Sequence, residues 1–280
     1  MAWADEHALI LWIGQYADPR VRIVGVEQDA ALARTMARSL GVPATNIEER
    51  ANAQLSHAGL KEALAGLRVR VRPGDGVFIY FSGHGRQLQR ISGGAGCSEG
   101  LATFEGGIYI DLLLRDELDA LAQRASRVVM FNDSCFSGGA ATKSFGGADP
   151  GEPEPKAYPF FDAESLPVLG VNDAADVSQV CGVHTNPVSK AFGGLAHSQR
   201  GVLYMAATTA NEAAYPTPQG SVGTRAWASC LQDPAADVDK DRSLSGSELL
   251  TCANTWVQRN TNYRQTITLV GNGQVPLRRF

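Results

Sequence analysis

Runs of consecutive apolar residues alternate along the first half of the chain with segments in which apolar residues recur every three or four positions. Residues 8–13 (Ala-Leu-Ile-Leu-Trp-Ile) form an unbroken apolar run of strand length, and Arg22–Val26 reads as an extension of it or a following strand. Leu32, Met36 and Leu40 then fall on one helical face over 27–40, and Gly41 and Pro43 stand where a helix stop belongs. An Ala- and Leu-rich helix is predicted over 58–67. The turn Pro73-Gly74-Asp75-Gly76 leads into a strand over 77–81. A helix over 115–125 precedes a buried strand over 128–131. Further on come a strand over 202–207, a helix over 221–231 and a last strand over 266–270. Strands without polar alternation, separated by helices, predict an α/β architecture with a mostly parallel sheet covered on both faces. Functional sites in such sheets gather at the carboxyl ends of the strands. Residues 138–167 are rich in Gly, Pro, Ala and acids, show no period, and read as a long mobile loop.

Composition narrows the function classes. The chain has 280 residues, 44% hydrophobic and 19% charged, with a net charge of −4. That is enough to bury a large core and excludes wholesale disorder. No block of like charge appears, so nucleic acid is an unfavoured partner and a cationic substrate a better one. No apolar run approaches the roughly 18 residues of a membrane span. The opening Met1-Ala2-Trp3-Ala4-Asp5-Glu6-His7 lacks the basic start of a signal peptide.

Two segments carry the chemistry. Tyr80-Phe81-Ser82-Gly83-His84-Gly85 and Asn132-Asp133-Ser134-Cys135-Phe136-Ser137-Gly138-Gly139 each follow a strand-forming run, and their histidine and cysteine lie 51 positions apart. A thiol is a weak nucleophile until a base or a positive environment favours its thiolate, and an imidazole brought beside it by the fold does this. Glycines on both sides of His84 allow a sharp turn and a close backbone approach. A lone histidine after a strand is most often structural, and a cysteine in an apolar context is most often inert. The two motifs together point to a cysteine peptidase.

On these residues the chain resembles the caspase family of cysteine peptidases, most closely its bacterial metacaspase-like members. The spacing of histidine and cysteine is that of the family. Asp-Ser-Cys-Phe-Ser-Gly departs from the animal caspase signature, and Phe136 stands where metacaspases usually carry histidine. The resemblance spans nearly the whole chain. It implies a three-layer α-β-α fold with a mostly parallel central sheet as a single domain, 1–280. Within it, 1–140 would be a large-subunit-like half, 141–200 a flexible linker region and 201–280 a small-subunit-like half. It implies that Cys135 attacks the scissile carbonyl, that His84 is the general acid/base, and that the N–H groups of Gly85 and Cys135 form the oxyanion hole. Asp29, Ser82 and Asp133 would line a first pocket selecting Arg or Lys. Asp29 reads alternatively as an ordinary acid at a helix start. Arg20 and Arg22 are the nearest arginines to a caspase-type pocket for aspartate. Relatives are often cut between their halves, and Lys143 and Lys156 in the 138–167 loop suit an enzyme that prefers basic residues. Members of this kind are often monomers.

A second motif is metal-like. Asp237, Asp239, Asp241, Ser243 and Glu248 occupy positions 1, 3, 5, 7 and 12 of a calcium-loop spacing, and a helix is predicted from 246 to 258. Arg242 replaces the glycine expected at position 6, a departure that weakens affinity. The alternative is an acidic surface turn capping a helix. Glu99, Asp116 and Glu117 lie where part of a second, activating calcium site of some metacaspases would be, but Thr142 and Lys143 stand where its last acid is expected. Glu99 reads alternatively as facing the specificity pocket.

Besides Cys135, the cysteines Cys97, Cys181, Cys230 and Cys252 read either as four reduced thiols or as two disulfides in one of three pairings. A Cys230–Cys252 bridge would staple the two ends of the acidic loop. Disulfides would favour a periplasmic or secreted protein over a cytoplasmic one. The competing functions are a non-catalytic caspase-like scaffold and a calcium-binding interaction module.

Overall fold

The computed structural model describes residues 4–89, 97–135, 156, 201–209 and 212–280. Lys143, Cys181 and all of the 138–167 loop except Lys156 lie outside these residues, as does the Cys97 side chain.

Six strands form the central sheet. In chain order these are β1 (Glu6–Trp12), β2 (Ile47–Ala51), β3 (Gly76–Ser82), β7 (Arg127–Asp133), β8 (Val202–Ala206) and β10 (Thr268–Gly271), and their spatial order is β10-β8-β7-β3-β1-β2. All neighbours are parallel except β10, which runs antiparallel to β8 at one edge. The side chains of β3 are buried from end to end, which explains its unbroken apolar sequence: both faces of a central parallel strand meet other layers.

Among the described residues, five helices supply those layers. On one face, α2 (His57–Arg70) and α3 (Asp111–Ala122) bring Leu60, Leu64, Leu67, Leu114, Leu118 and Leu121 onto Leu9, Leu11, Ile79 and Met130. On the other, α1 (Val26–Ser39), α4 (Val222–Gln232) and α5 (Gly246–Asn260) bring Met36, Trp227, Leu249 and Val257 onto Ile10, Phe78, Phe131 and Met205. The expected three layers are therefore present.

Two sequence readings change. Arg22–Val26 is not a strand: Gly25 takes a left-handed conformation (φ 81°) and caps α1, which starts at Val26. A Cβ at Gly25 would lie 1.9 Å from the Thr217 carbonyl oxygen, so this turn is pressed against the 217 loop. The polar edge strand β2 and the antiparallel sheet of β4 (Gly85–Gln89), β5 (Cys97–Ala102) and β6 (Ile108–Ile110) have no apolar run to announce them. A final pair, β9 (Ser243–Ser245) with β11 (Pro276–Arg279), ties the acidic loop to the carboxyl terminus.

Candidate active site

The register of two neighbouring strands brings the two motifs together. β3 and β7 pair in parallel with Ser82 opposite Asp133, so two residues further on His84 and Cys135 leave the sheet side by side. The N–H groups of Gly85 and Cys135 both donate to a single oxygen, the Lys156 main-chain carbonyl, at 3.0 and 3.2 Å. A Cβ at residue 85 would fall 1.6 Å from the Cys135 carbonyl oxygen, so only glycine permits this approach. The histidine turn is fixed from two sides. The His84 N–H donates to the Tyr16 hydroxyl at 2.6 Å, and its carbonyl accepts from the Ala102 N–H at 3.0 Å.

The ring and the thiol are both buried. His84 Nε2 lies 2.8 Å from the Val21 carbonyl oxygen. A carbonyl only accepts, so Nε2 carries the proton and Nδ1 keeps the lone pair. Burial pushes the His84 imidazole down to about 4, against the Val21 and Lys156 carbonyls, which favour the protonated ring. Burial likewise pushes the Cys135 thiol up to about 12, opposed by the Ala214 backbone and the Lys156 charge. The Ala214 N–H donates to Cys135 Sγ at 3.0 Å. With Lys156 seated, both groups are neutral.

Lys156 is fully buried. Its N–H donates to the Ala214 carbonyl at 3.1 Å, and its ammonium lies 3.0 Å from Asp29 Oδ2, 3.2 Å from Asp133 Oδ1 and 2.8 Å from Ser82 Oγ. This residue departs from the reading of 138–167 as a mobile loop. An ammonium out of water costs several kcal/mol unless its partners are well placed. Burial alone favours loss of its proton, but Asp133 and Asp29 outweigh that and hold Lys156 above the ordinary lysine value. For Asp133 the balance falls the other way: burial raises its carboxyl despite the ammonium beside it.

Asp29 is therefore not an idle acid at a helix start. It sits in the first turn of α1 and accepts from the Ser221 N–H at 2.6 Å, the Ser221 hydroxyl at 2.5 Å and the Ser82 hydroxyl at 2.8 Å. Asp133 Oδ2 accepts from the Thr224 N–H at 3.1 Å and from the Thr224 hydroxyl. Ser221 caps α4 and Thr224 lies in its first turn, so the positive end of that helix faces both carboxylates. Sequence reasoning missed Tyr16, Val21, Ala214, Ser221 and Thr224. The only local signal was a serine and a threonine at the start of a predicted helix. Arg20 is paired with Asp18 and Arg22 is exposed.

The acidic loop is assembled independently. Carboxylate oxygens of Asp237, Asp239 and Asp241 lie within 4.8 Å of one another. Backbone N–H groups hold them: Arg242 to Asp237, Asp241 to Asp239, and Ser243 to Asp241. Glu248 accepts from the Val238 and Asp239 N–H groups and completes a capping box with Ser245 on α5. Arg242 adopts the left-handed conformation (φ 68°) that the calcium-loop turn asks of glycine. Cys230 and Cys252 form a disulfide that joins α4 to α5 around this loop. Asp116 and Glu117 are engaged by Arg115 and Arg68, and among the described residues they join no carboxylate cluster. The Glu99 side chain lies outside the described residues.

A parallel sheet layered by helices on both faces, with a thiol and an imidazole on adjacent strand ends, is the frame of a class of cysteine peptidases. The family model of the caspase domain matches residues 5–276, and the chain belongs to this family of cysteine peptidases. A solved Geobacter sulfurreducens protein is similar over 98% of this chain and 97% of its own, with a TM-score of 0.64 and 18% identity. Caspase-1 from Spodoptera frugiperda is similar over 96% of this chain and 86% of its own, with a TM-score of 0.55 and 12% identity. Both likenesses concern the fold. No curated protein sequence matches the chain.

Proposed function

We propose that this chain is an endopeptidase that cleaves after basic residues through Cys135 and His84, and that its first substrate is its own Lys156–Ala157 bond. The observation that carries this reading is the seat of Lys156. Its carbonyl oxygen accepts from Gly85 and Cys135, its N–H pairs with Ala214, and its ammonium rests between Asp29 and Asp133. These are the contacts an oxyanion, a substrate backbone and a basic side chain would each require. In the reaction, the thiol proton passes to His84 Nδ1 as Sγ bonds to the carbonyl carbon. The negative oxygen is received by the two N–H groups. The C–N bond then breaks, the leaving amine takes the proton from His84, and a thioester remains. Water, deprotonated by His84, attacks the thioester and restores the thiol.

The neutral thiol and imidazole describe a resting enzyme plugged by its own chain. Departure of the linker after cleavage would let water in, reduce the burial that holds both groups neutral, and ease proton transfer between them. Lys156, rather than Lys143, is the self-processing site in this reading.

The test compares wild type with Cys135→Ala, by mass spectrometry of the chain and with reporter peptides ending in Lys, Arg or Asp. Wild type is expected to be cut after Lys156 and to turn over the basic reporters only. The alanine variant is expected to stay intact and inactive. Turnover of the Asp reporter, or undiminished activity in the variant, overturns the reading.

We further propose that the 237–248 loop binds calcium and anchors α5. Asp237 Oδ1 is buried without a hydrogen-bond partner among the described residues, and the loop already holds the left-handed turns at Lys240 and Arg242. Asp237, Asp239, Asp241, the Ser243 carbonyl and Glu248 would be the ligands. Titration calorimetry should record calcium binding that Asp239→Ala removes. The disulfide supports an oxidising compartment, periplasmic or extracellular.

A further inference from the structure

We propose that the first pocket selects lysine over arginine, and that Thr224, with Tyr80 behind it, sets this preference by fixing the pocket carboxylates from below. This rests on the peptidase reading above.

The pocket is built around one nitrogen. Three acceptors converge on Lys156 Nζ, namely Asp29 Oδ2, Ser82 Oγ and, at 3.3 Å, the Asp133 main-chain carbonyl, with Asp133 Oδ1 in ion-pair contact at 3.2 Å. An ammonium is a point charge with three rotatable donors, and these acceptors surround a point. A guanidinium carries two more heavy atoms and needs acceptors spread along its planar edge.

The carboxylates cannot retreat to make that room. Protons in the layer beneath can run in one direction only. Asp133 accepts from the Thr224 hydroxyl, which has a single proton, so the Tyr80 hydroxyl, 2.5 Å away, must donate to Thr224. Tyr80, Thr224, Ser221 and Ser82 are all buried. Asp29 is held on both oxygens by Ser221. Behind it, a Cβ at Gly220 would already stand 3.0 Å from Asp29 Oδ1 and 3.2 Å from Leu32. Every carboxylate oxygen not facing the ammonium, Asp29 Oδ1 and Asp133 Oδ2, is thus bonded to the first turn of α4. Arginine could enter only by displacing that turn. A misfit of this size in a closed pocket is worth about 10- to 100-fold.

The experiment measures kcat/KM on two reporter peptides that differ only in Lys or Arg at the cleaved position. Wild type should favour Lys by at least about tenfold. Thr224→Ala should lower the Lys rate about tenfold, through KM rather than kcat, and bring the ratio toward one. Thr224→Ser should restore both. Tyr80→Phe, which keeps the packed ring, should narrow the ratio by a few-fold. A second arm needs no activity: in the uncleavable Cys135→Ala chain, Lys156→Arg should lower the melting temperature about as much as Lys156→Met. Equal or better cleavage of the Arg reporter overturns the inference. So does a ratio unchanged in Thr224→Ala, or a Lys156→Arg melt equal to its parent. Cleavage of neither reporter overturns the peptidase reading, and the melting arm still decides whether the pocket refuses arginine.

Discussion

The molecule gathers carboxylates in two places, and it satisfies them in opposite ways. Asp29 and Asp133 are fully buried, come from distant parts of the chain, and face an ammonium from a third. Asp237, Asp239 and Asp241 fall within five residues, Asp239 and Asp241 exposed and Asp237 half-buried, and are held by N–H groups of the same loop. The surface set is largely open to water, where like charges repel weakly. The buried set has lost that screening, so it requires donors from α4 and a positive side chain in place. The difference separates carboxylates that need a cation in place from carboxylates that water and nearby N–H groups can hold.

Three experiments press on this contrast. The largest effect should come from Asp133→Asn, which leaves the shape of the pocket and removes half its charge. Cleavage of a Lys reporter should fall about 100-fold, as for one partner of a buried charge pair, whereas Asp239→Ala should change turnover less than twofold. Comparable losses in both variants would dissolve the distinction between the two clusters.

Next is Lys156→Met in the Cys135→Ala background, read as thermal and denaturant stability. Leaving two buried carboxylates without their cation should cost about 3–5 kcal/mol near neutral pH. The sign with pH follows from the raised Asp133 carboxyl, which loses the ammonium that opposed burial. A folded-state value above the unfolded one favours the protonated folded protein. Stability is therefore retained below the unfolded carboxylate value of about 4 and lost as pH rises through the folded value. The deficit should be small in acid and large at pH 8; a deficit independent of pH would show that the lysine stem, not its charge, matters.

The smallest effect is expected at Arg242→Gly. A non-glycine residue in the left-handed region costs about 1–2 kcal/mol, and the loop already holds this turn, so glycine should raise the melting temperature slightly and leave calcium affinity, read by calorimetry, within about twofold. Weaker binding would mean that the Arg242 side chain, rather than the turn, supports the loop.

Local and distant features were unequally legible. The apolar runs at 77–81 and 128–131 marked β3 and β7 because a strand buried on both faces must be apolar throughout. The gathering of the Asp237, Asp239 and Asp241 carboxylates was readable because they lie within five residues of one another. The edge strand β2 and the β4–β6 sheet were not, since β2 is polar and the apolar stretches of the small sheet are only two or three residues long. Lys156 was visible as a basic residue in a suitable segment, but nothing in its neighbours indicates that it is buried. Thr224 and Ser221 read only as polar residues opening a helix.

What the sequence determined by itself is the order of the apolar core strands and the helices between them, the pair of motifs at two strand ends, and the acidic loop. Each depends on hydrophobic periodicity or on spacing within a few residues, which the chain carries locally. Only the tertiary structure decided that β3 and β7 are neighbours in a register that sets His84 beside Cys135. It alone brought the first turn of α4 under two carboxylates and Lys156 between them. The reason is physical: burial and charge compensation among groups 23 to 192 residues apart are properties of packing, and no local pattern encodes them.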